Sequence, residues 1–407
     1  MNAQESDVYN YNTFDIPLLS NTTETGAVYN TFLSTNSINY KFANALKNNR
    51  YISNDLKKSN NIRTDNFIGN GTNYNVYLIS KPGKMFNFSN VGYRIGINYS
   101  NFSNFSFTND FYNLVFYGNK MFAGKAADLS KCKINQLKYY ELQLGLFHNH
   151  KSKLSEFTFY YGISLIGGQS YNSFYIKRGY LYTSETGESI YLYSNIDYSR
   201  TQSHNIKDFN GFGISTSFYG VYKAIQKNIL LSLAIDNIGA IRWKSNSVLM
   251  HTDTTIHFEG VGIDDILNFE PSGYNGLTKD SVIDIIDSKE HNTSFIRPLP
   301  LRINLCFTKM SFLNEKLNLS AGVCYYLNAN QPLPLFYTRF EYAFNNKLAV
   351  NIQPSDGGYS NFMFGMGLSY NFRNNFFLRI ASNNILGLIT PKQSFSQNLF
   401  CSFAYRF

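Results

Sequence analysis

The chain is short of charge. Asp, Glu, Lys and Arg make up 15% of its 407 residues, against about 25% in an ordinary soluble domain. It has 9 Pro, 4 Cys and 1 Trp. Scarce charge beside 43% hydrophobic residues is the reverse of what intrinsic disorder requires. The Glu, Lys, Ala and Leu density of a coiled coil is missing. No run of 18 or more apolar residues occurs, so no helix is available to cross a bilayer, and the mean hydropathy of −0.26 agrees. Cys132, Cys306, Cys324 and Cys401 form neither a disulfide framework nor a zinc spacing. Cys306 and Cys324 lie at unequal distances from a turn at 311–314, so they are not expected to face each other in a bridge. The net charge is +9, but Lys and Arg are scattered and show no clustered basic face for nucleic acid. The first residues carry neither a basic nor an apolar signal region, so a secretory signal is expected to have been removed from an exported precursor.

What is abundant is Tyr and Phe, 32 and 36 residues, and from about residue 73 a period of two. Phe362, Phe364, Met366, Leu368, Tyr370 and Phe372 alternate with Asn361, Met363, Gly365, Gly367, Ser369 and Asn371. Phe157, Phe159, Tyr161, Ile163 and Leu165 alternate with Thr158, Tyr160, Gly162 and Ser164, and 140–146, 301–307 and 317–323 repeat the pattern. Such segments suit strands of about 9–11 residues tilted across a bilayer. Bulky residues would face lipid, and small or polar residues a crowded lumen. A soluble sandwich would need both faces to serve a core, and no blade-length repeat indicates a propeller. The fold class expected is therefore all-β: a transmembrane antiparallel outer-membrane β-barrel.

Connections counted back from the C-terminus support this. Short ones fall near 373, 345–346, 311–314, 222–226, 184–187, 149–152 and 100–102. Longer ones fall at 385–395, 356–359, 328–332, 238–297, 201–208, 167–169 and 118–134. Short turns on one side and long loops on the other is the asymmetry of outer-membrane barrels. Sixteen strands result, the first two at about 73–80 and 90–99. Residues 1–70, rich in Asn, Ser, Thr and Tyr, read as either a plug or a flexible tail, and 71–407 as the barrel, with an extracellular insertion at about 247–297.

The last strand places Leu399, Cys401, Phe403, Tyr405 and Phe407 on one face and Phe400, Ser402, Ala404 and Arg406 on the other. Alternation with a terminal Phe resembles the signal read by the barrel-assembly machinery, so Phe403, Tyr405 and Phe407 are candidates for that role. By parity, Glu141, Asp197, Asp236, Arg302, Arg339 and Glu341 face the lumen. Charges there survive by pairing or by meeting water. They either brace the wall or line a route for solute.

Two segments resemble each other, 234–244 and 381–389. The first carries Asp236, Asn237, Gly239, Arg242 and Trp243; the second carries Asn384 and Gly387. With 258–267, 117–125 and 139–145 they resemble a Bacteroidota outer-membrane family of unknown function, the DUF5723 group, which is similar to FadL-like and PorV-like barrels. The resemblance implies 14 strands and covers most of 110–407. The family's Asn-Pro-Ala motif near the mature N-terminus is not matched; that region reads Ser20, Asn21, Thr22, Thr23, Glu24.

No nucleophile elbow or phosphate-binding loop occurs, and His204 near Ser194 and Ser203 is not singled out by its context. His148 and His150 lack a third ligand, and the acidic residues of 247–297 lack an EF-hand spacing. The expectation is a protein without enzymatic activity, cofactor, metal or nucleic-acid partner. It would meet outer-membrane lipids, and the assembly machinery during insertion. It would pass small or hydrophobic solutes passively as FadL-like barrels do, with a break in the wall at Gly167-Gly168 or Gly365/Gly367 as a lateral exit. The alternative is a PorV-like docking subunit of an outer-membrane complex such as type IX secretion, using the loop 247–297.

Overall fold

The computed structural model describes residues 22–85, 87–201, 209–259, 291–372 and 375–407. In chain order its strands are β1 (Glu24–Thr35), β2 (Asp65–Ile79), β3 (Gly83–Met85), β4 (Phe88–Thr108), β5 (Lys125–Asp128), β6 (Lys133–Lys151) and β7 (Ser155–Thr183). Then come β8 (Ser189–Arg200), β9 (Gly211–Ala224), β10 (Ile229–Trp243), β11 (Val248–Glu259), β12 (His291–Asn292) and β13 (Ile296–Pro298). The remainder are β14 (Leu301–Lys309), β15 (Leu317–Leu327), β16 (Leu335–Ala343), β17 (Leu348–Gly357), β18 (Met363–Phe372), β19 (Phe376–Ser382) and β20 (Ser396–Arg406). Helices α1 (Tyr40–Lys47) and α2 (Asn54–Lys58) separate β1 from β2, and α3 (Asn109–Tyr117) follows β4.

Fourteen of these strands close a barrel. The order is β1, β2, β4, β6, β7, β9, β10 and then β14 to β20, with every neighbour antiparallel. Closure is made by β20 against β1, where Glu24 stands opposite Arg406 and Ser34 opposite Ser396. Closure matters physically because it leaves no unpaired edge.

The alternation reads through to the structure. Phe157, Phe159, Tyr161, Ile163 and Leu165 are all exposed, while Thr158, Tyr160 and Ser164 between them are buried. Met366, Leu368 and Phe372 face out, and Met363, Ser369 and Asn371 face in. The outward apolar belt continues through Ile95, Ile97, Leu142, Leu144, Leu231, Leu233, Leu305, Phe307 and Phe403. An apolar surface that circles the molecule is unstable in water and matched to hydrocarbon.

One end carries tight connections at 152–154, 225–228, 310–316 and 344–347, together with Glu24 and Arg406. The opposite end carries the long ones. There β7 runs 29 residues. Its lower part, to Gly168, pairs with β9; from Asn172 it pairs with β8 instead, and β8 pairs with β11. A raised sheet of β5, β7, β8 and β11 thus stands above the barrel on the loop side.

The structure corrects the strand count of sixteen to fourteen. The segment 100–102 is no turn: it lies inside β4. Its Ser100, a good turn former, is instead buried on the inner face together with Asn98 and Asn104. Gly167-Gly168 likewise lies inside β7; a side chain there would collide with the rings of Phe209 and Trp243. The turn at 184–187 exists, but it tips the raised sheet on the loop side. The boundary at residue 70 falls within β2, and β1 is a barrel strand rather than part of a plug. Helices α1 and α2 sit at the loop-side mouth, where Tyr40 and Lys41 donate their N–H groups to the carbonyls of Ser394 and Pro391. Asn39 caps α1 by accepting from the N–H of Phe42. Phe42 is buried there against Phe107, Tyr112, Cys132, Ile176 and Met250.

Candidate functional site

The lumen is polar because period two delivers every second residue inward. It holds a cavity of about 230 Å³. One wall is built by β2, β4 and β6. Asn98 donates to Glu141 Oε2 at 2.6 Å, and Gln143 Nε2 donates to the same oxygen at 3.2 Å. Arg94 Nη1 donates to Gln143 Oε1 at 2.8 Å and Nη2 to Asn75 Oδ1 at 3.2 Å. Asn73 donates to Asn98 Oδ1 at 2.7 Å and to Ser100 at 2.9 Å. The residues meet because Asn98 pairs with Asn75 on one side and Glu141 on the other, while Gly96 pairs with Gln143. Buried polar groups need such partners, and a connected network holds its members in one arrangement.

The facing wall presents Asp236 on β10 and Arg302 on β14, directly opposite in the ladder. Arg302 Nε and Nη2 both donate to Asp236 Oδ2, at 2.9 and 2.7 Å. Such a pair is strongly held once out of water, since removing one partner strands the other. Tyr139, Tyr160 and Tyr326 add aromatic faces to the cavity. The ring of Tyr160 lies over Gly145 and Gly162, where any side chain would collide with it. Below the cavity, toward the tight turns, Tyr77, Ile79, Phe147, Tyr219 and Val221 form an apolar floor with Tyr160. Glu24 is fully buried, accepting from Tyr77 Oη at 2.8 Å and Arg406 Nε at 2.7 Å.

Across the barrel the lumen is closely packed. Cys306, Cys324, Tyr337 and Met363 cluster there, and Tyr337 Oη donates to Asn304 at 3.1 Å. Both cysteines are free thiols. Arg339 and Arg379 line a space of about 10 Å³, roughly the room of one water. Glu341 is buried within electrostatic reach of both.

Five of the six expected lumen charges therefore face inward: Glu141, Asp236, Arg302, Arg339 and Glu341. Asp197 does not. It lies on β8 in the raised sheet, where Lys177 Nζ and His251 Nδ1 each stand 2.8 Å away and its side chain is 41% exposed. Parity misassigned it because β8 alternates like a barrel strand yet encloses nothing. Partial burial pushes its pKa up, but hydrogen bonds and charge from Lys177 and His251 outweigh that and hold it below the ordinary carboxylate value. Arg94, Asn73, Asn98 and Gln143 were missed. Arg94 was findable, being the one charge between Lys84 and Asp110, on the face opposite Ile95 and Ile97.

The motif residues have structural roles. Asn237 sits at a bulge of β10 with φ +64° and donates to the carbonyl of Pro300 at 3.3 Å. Gly239 passes so close to the β9 backbone that a Cβ would collide with it. Trp243 is fully buried against Tyr171, Phe295 and Leu299, while Arg242 next to it faces outward. The segment 234–243 is thus a strand rather than the entry to a loop. Asn384 donates to Ser394 Oγ and the carbonyl of Ser396, both at 2.9 Å, and Gly387 packs on Ser396. Phe403, Tyr405 and Phe407 share the outer face, with Phe376 packed on the first two.

The expected wall breaks are closed. Gly168 and Asn210 are joined backbone to backbone at 2.8 Å, and Asn210 Nδ2 donates to the carbonyl of Gln169 at 2.6 Å. Around Gly365 and Gly367, β18 pairs with β17 and β19. His148 and His150 end β6 on its outer face. Among the described residues no group of three His, Cys, Asp or Glu could hold a metal ion. His204, Ser203 and most of the acidic residues of 247–297 lie outside the described residues.

A closed antiparallel barrel of fourteen strands, apolar outside and polar within, is an outer-membrane-type β-barrel. The chain belongs to DUF5723, described as a family of unknown function, whose profile matches residues 8–380. No curated protein matches it. Among solved structures it is similar to the Pseudomonas putida toluene transporter TodX, at 7% identity and a TM-score of 0.45, covering 95% of this chain and 91% of that one. The Ralstonia pickettii toluene transporter TbuX gives 8% and 0.44, with 96% and 90% covered. A Pseudomonas aeruginosa FadL homologue gives 9% and 0.45, with 95% and 90% covered. Identities and TM-scores this low leave the lumen chemistry to be read from this chain's own side chains.

Proposed function

We propose that this protein is a non-catalytic barrel of the bacterial outer membrane that passes a small solute passively. The tight-turn end would face the periplasm and the raised sheet the exterior. The observation that carries the reading is the lumen cavity. A barrel built only as a scaffold gains nothing by keeping 230 Å³ of polar space inside, since voids weaken packing. Its volume lies below the roughly 300–1,000 Å³ of sites for drug-sized ligands, which suits one small solute at a time. The outward belt supports contact with lipid, and the outer face of Phe403, Tyr405 and Phe407 supports a role in assembly. A docking role would rest on the loop 247–297, of which 260–290 lie outside the described residues. The test is reconstitution into proteoliposomes. Swelling in small isosmotic solutes above that of protein-free vesicles is expected; no excess for any solute contradicts the proposal.

A further inference from the structure

The groups that line the cavity narrow the class of solute. Asn73, Asn75, Asn98, Gln143, Ser100 and Ser164 line it beside two charges of each sign, Arg94, Arg302, Glu141 and Asp236. Amides and hydroxyls donate and accept, so a ligand able to do both would be held there. The charges in reach are balanced. Arg94 and Glu141 are linked through Gln143, and Asp236 is bound to Arg302. A charged ligand would find no unmatched counter-charge, whereas hydroxyls both donate and accept. Tyr160 and Tyr326 supply faces for C–H surfaces.

We infer that the lumen cavity binds a small neutral polyhydroxylated solute, of monosaccharide size, rather than an apolar or charged one. The inference rests on the conduit reading above and specifies its solute.

The test uses the full chain in proteoliposomes, with glucose, gluconate and glucosamine as isosmotic probes. These share a carbon skeleton and differ in charge. Glucose is expected to enter faster than either charged probe by about tenfold, equivalent to roughly 1.4 kcal/mol. Arg94→Met should shift preference toward glucosamine, and Glu141→Gln toward gluconate. Folding is checked by the mobility difference between unheated and heated samples. If either variant fails to fold, Ser164→Asp, on the same cavity, adds negative charge without removing a cross-strand pair and should favour glucosamine. Equal entry of all three probes into wild-type vesicles overturns the neutral-solute inference and leaves the conduit standing. So does unchanged selectivity in every folded variant. No entry of any probe overturns both.

Discussion

The two halves of the barrel are built differently. From β14 to β20 the strands run 7 to 11 residues, about what crossing a bilayer at a tilt requires. From β4 to β10 the wall strands run 14 to 29 residues, and β7 among them rises into the raised sheet. The short half is filled by Cys306, Cys324, Tyr337 and Met363. The cavity lies toward the tall half, against Asn98, Glu141, Gln143 and Tyr160. The short half therefore serves as wall, and the tall half carries both the raised sheet and most of the cavity lining.

The largest effect expected from breaking this division is at Trp243, which anchors the point where β7 exchanges β9 for β8. Trp243→Ala should lower stability by about 3–5 kcal/mol, the usual cost of deleting a buried aromatic, read from denaturant unfolding of the folded barrel. Arg302→Met comes next. It strands the Asp236 carboxylate, which is 15% exposed, and should cost about 2–3 kcal/mol, toward the lower end for a broken buried pair, seen in the same unfolding curves. Gly162→Val pushes into the Tyr160 ring and should cost about 1–3 kcal/mol; Gly220→Ala, with open space around its Cβ position, should move the midpoint little. The smallest effect belongs to the raised sheet. Asp197→Asn should change global stability by less than about 1 kcal/mol, as exposed ion pairs do. Because its folded pKa is depressed, its contribution is present above the unfolded carboxylate value near 4 and disappears as pH falls through the lower folded value. The protection of β8 and β11 amides, measured against their intrinsic exchange rates, should therefore fall in acid in the wild type and show less pH dependence in Asp197→Asn.

The same comparison explains what the sequence disclosed. In the short half each strand is one hydrophobic alternation bounded by true turns, so β14 to β20 and their connections near 311–314, 345–346 and 385–395 were legible. In the tall half, residues that usually mark turns serve the lumen. Ser100 and Asn101 read as a turn but belong to one face and the other of β4. Gly167-Gly168 read as a bend but makes room for Phe209 and Trp243. Strand β1 was missed because its Thr, Asn and Ala residues give weak alternation. Parity then identified inward charges such as Glu141, Asp236 and Arg302 on strands that bound the lumen, passed over Arg94 on β4, and failed at Asp197, whose strand does not bound it. The amide residues joining Glu141 to Arg94 carry no charge to draw notice; only the register of β2, β4 and β6 reveals them as a network.

The central claim is that the inner face is a solute-accessible polar lumen and the outer face meets lipid. Ser164 lines the cavity, while its neighbour Ile163 is 46% exposed on the apolar belt. Single cysteines at these positions, with Cys132, Cys306, Cys324 and Cys401 replaced by Ala or Ser, would be treated with a small charged thiol reagent in proteoliposomes. The account predicts that Ser164→Cys reacts and is slowed by glucose, while Ile163→Cys reacts only with a lipid-soluble reagent. Reaction of Ile163→Cys with the charged reagent, while Ser164→Cys stays inert, would contradict it.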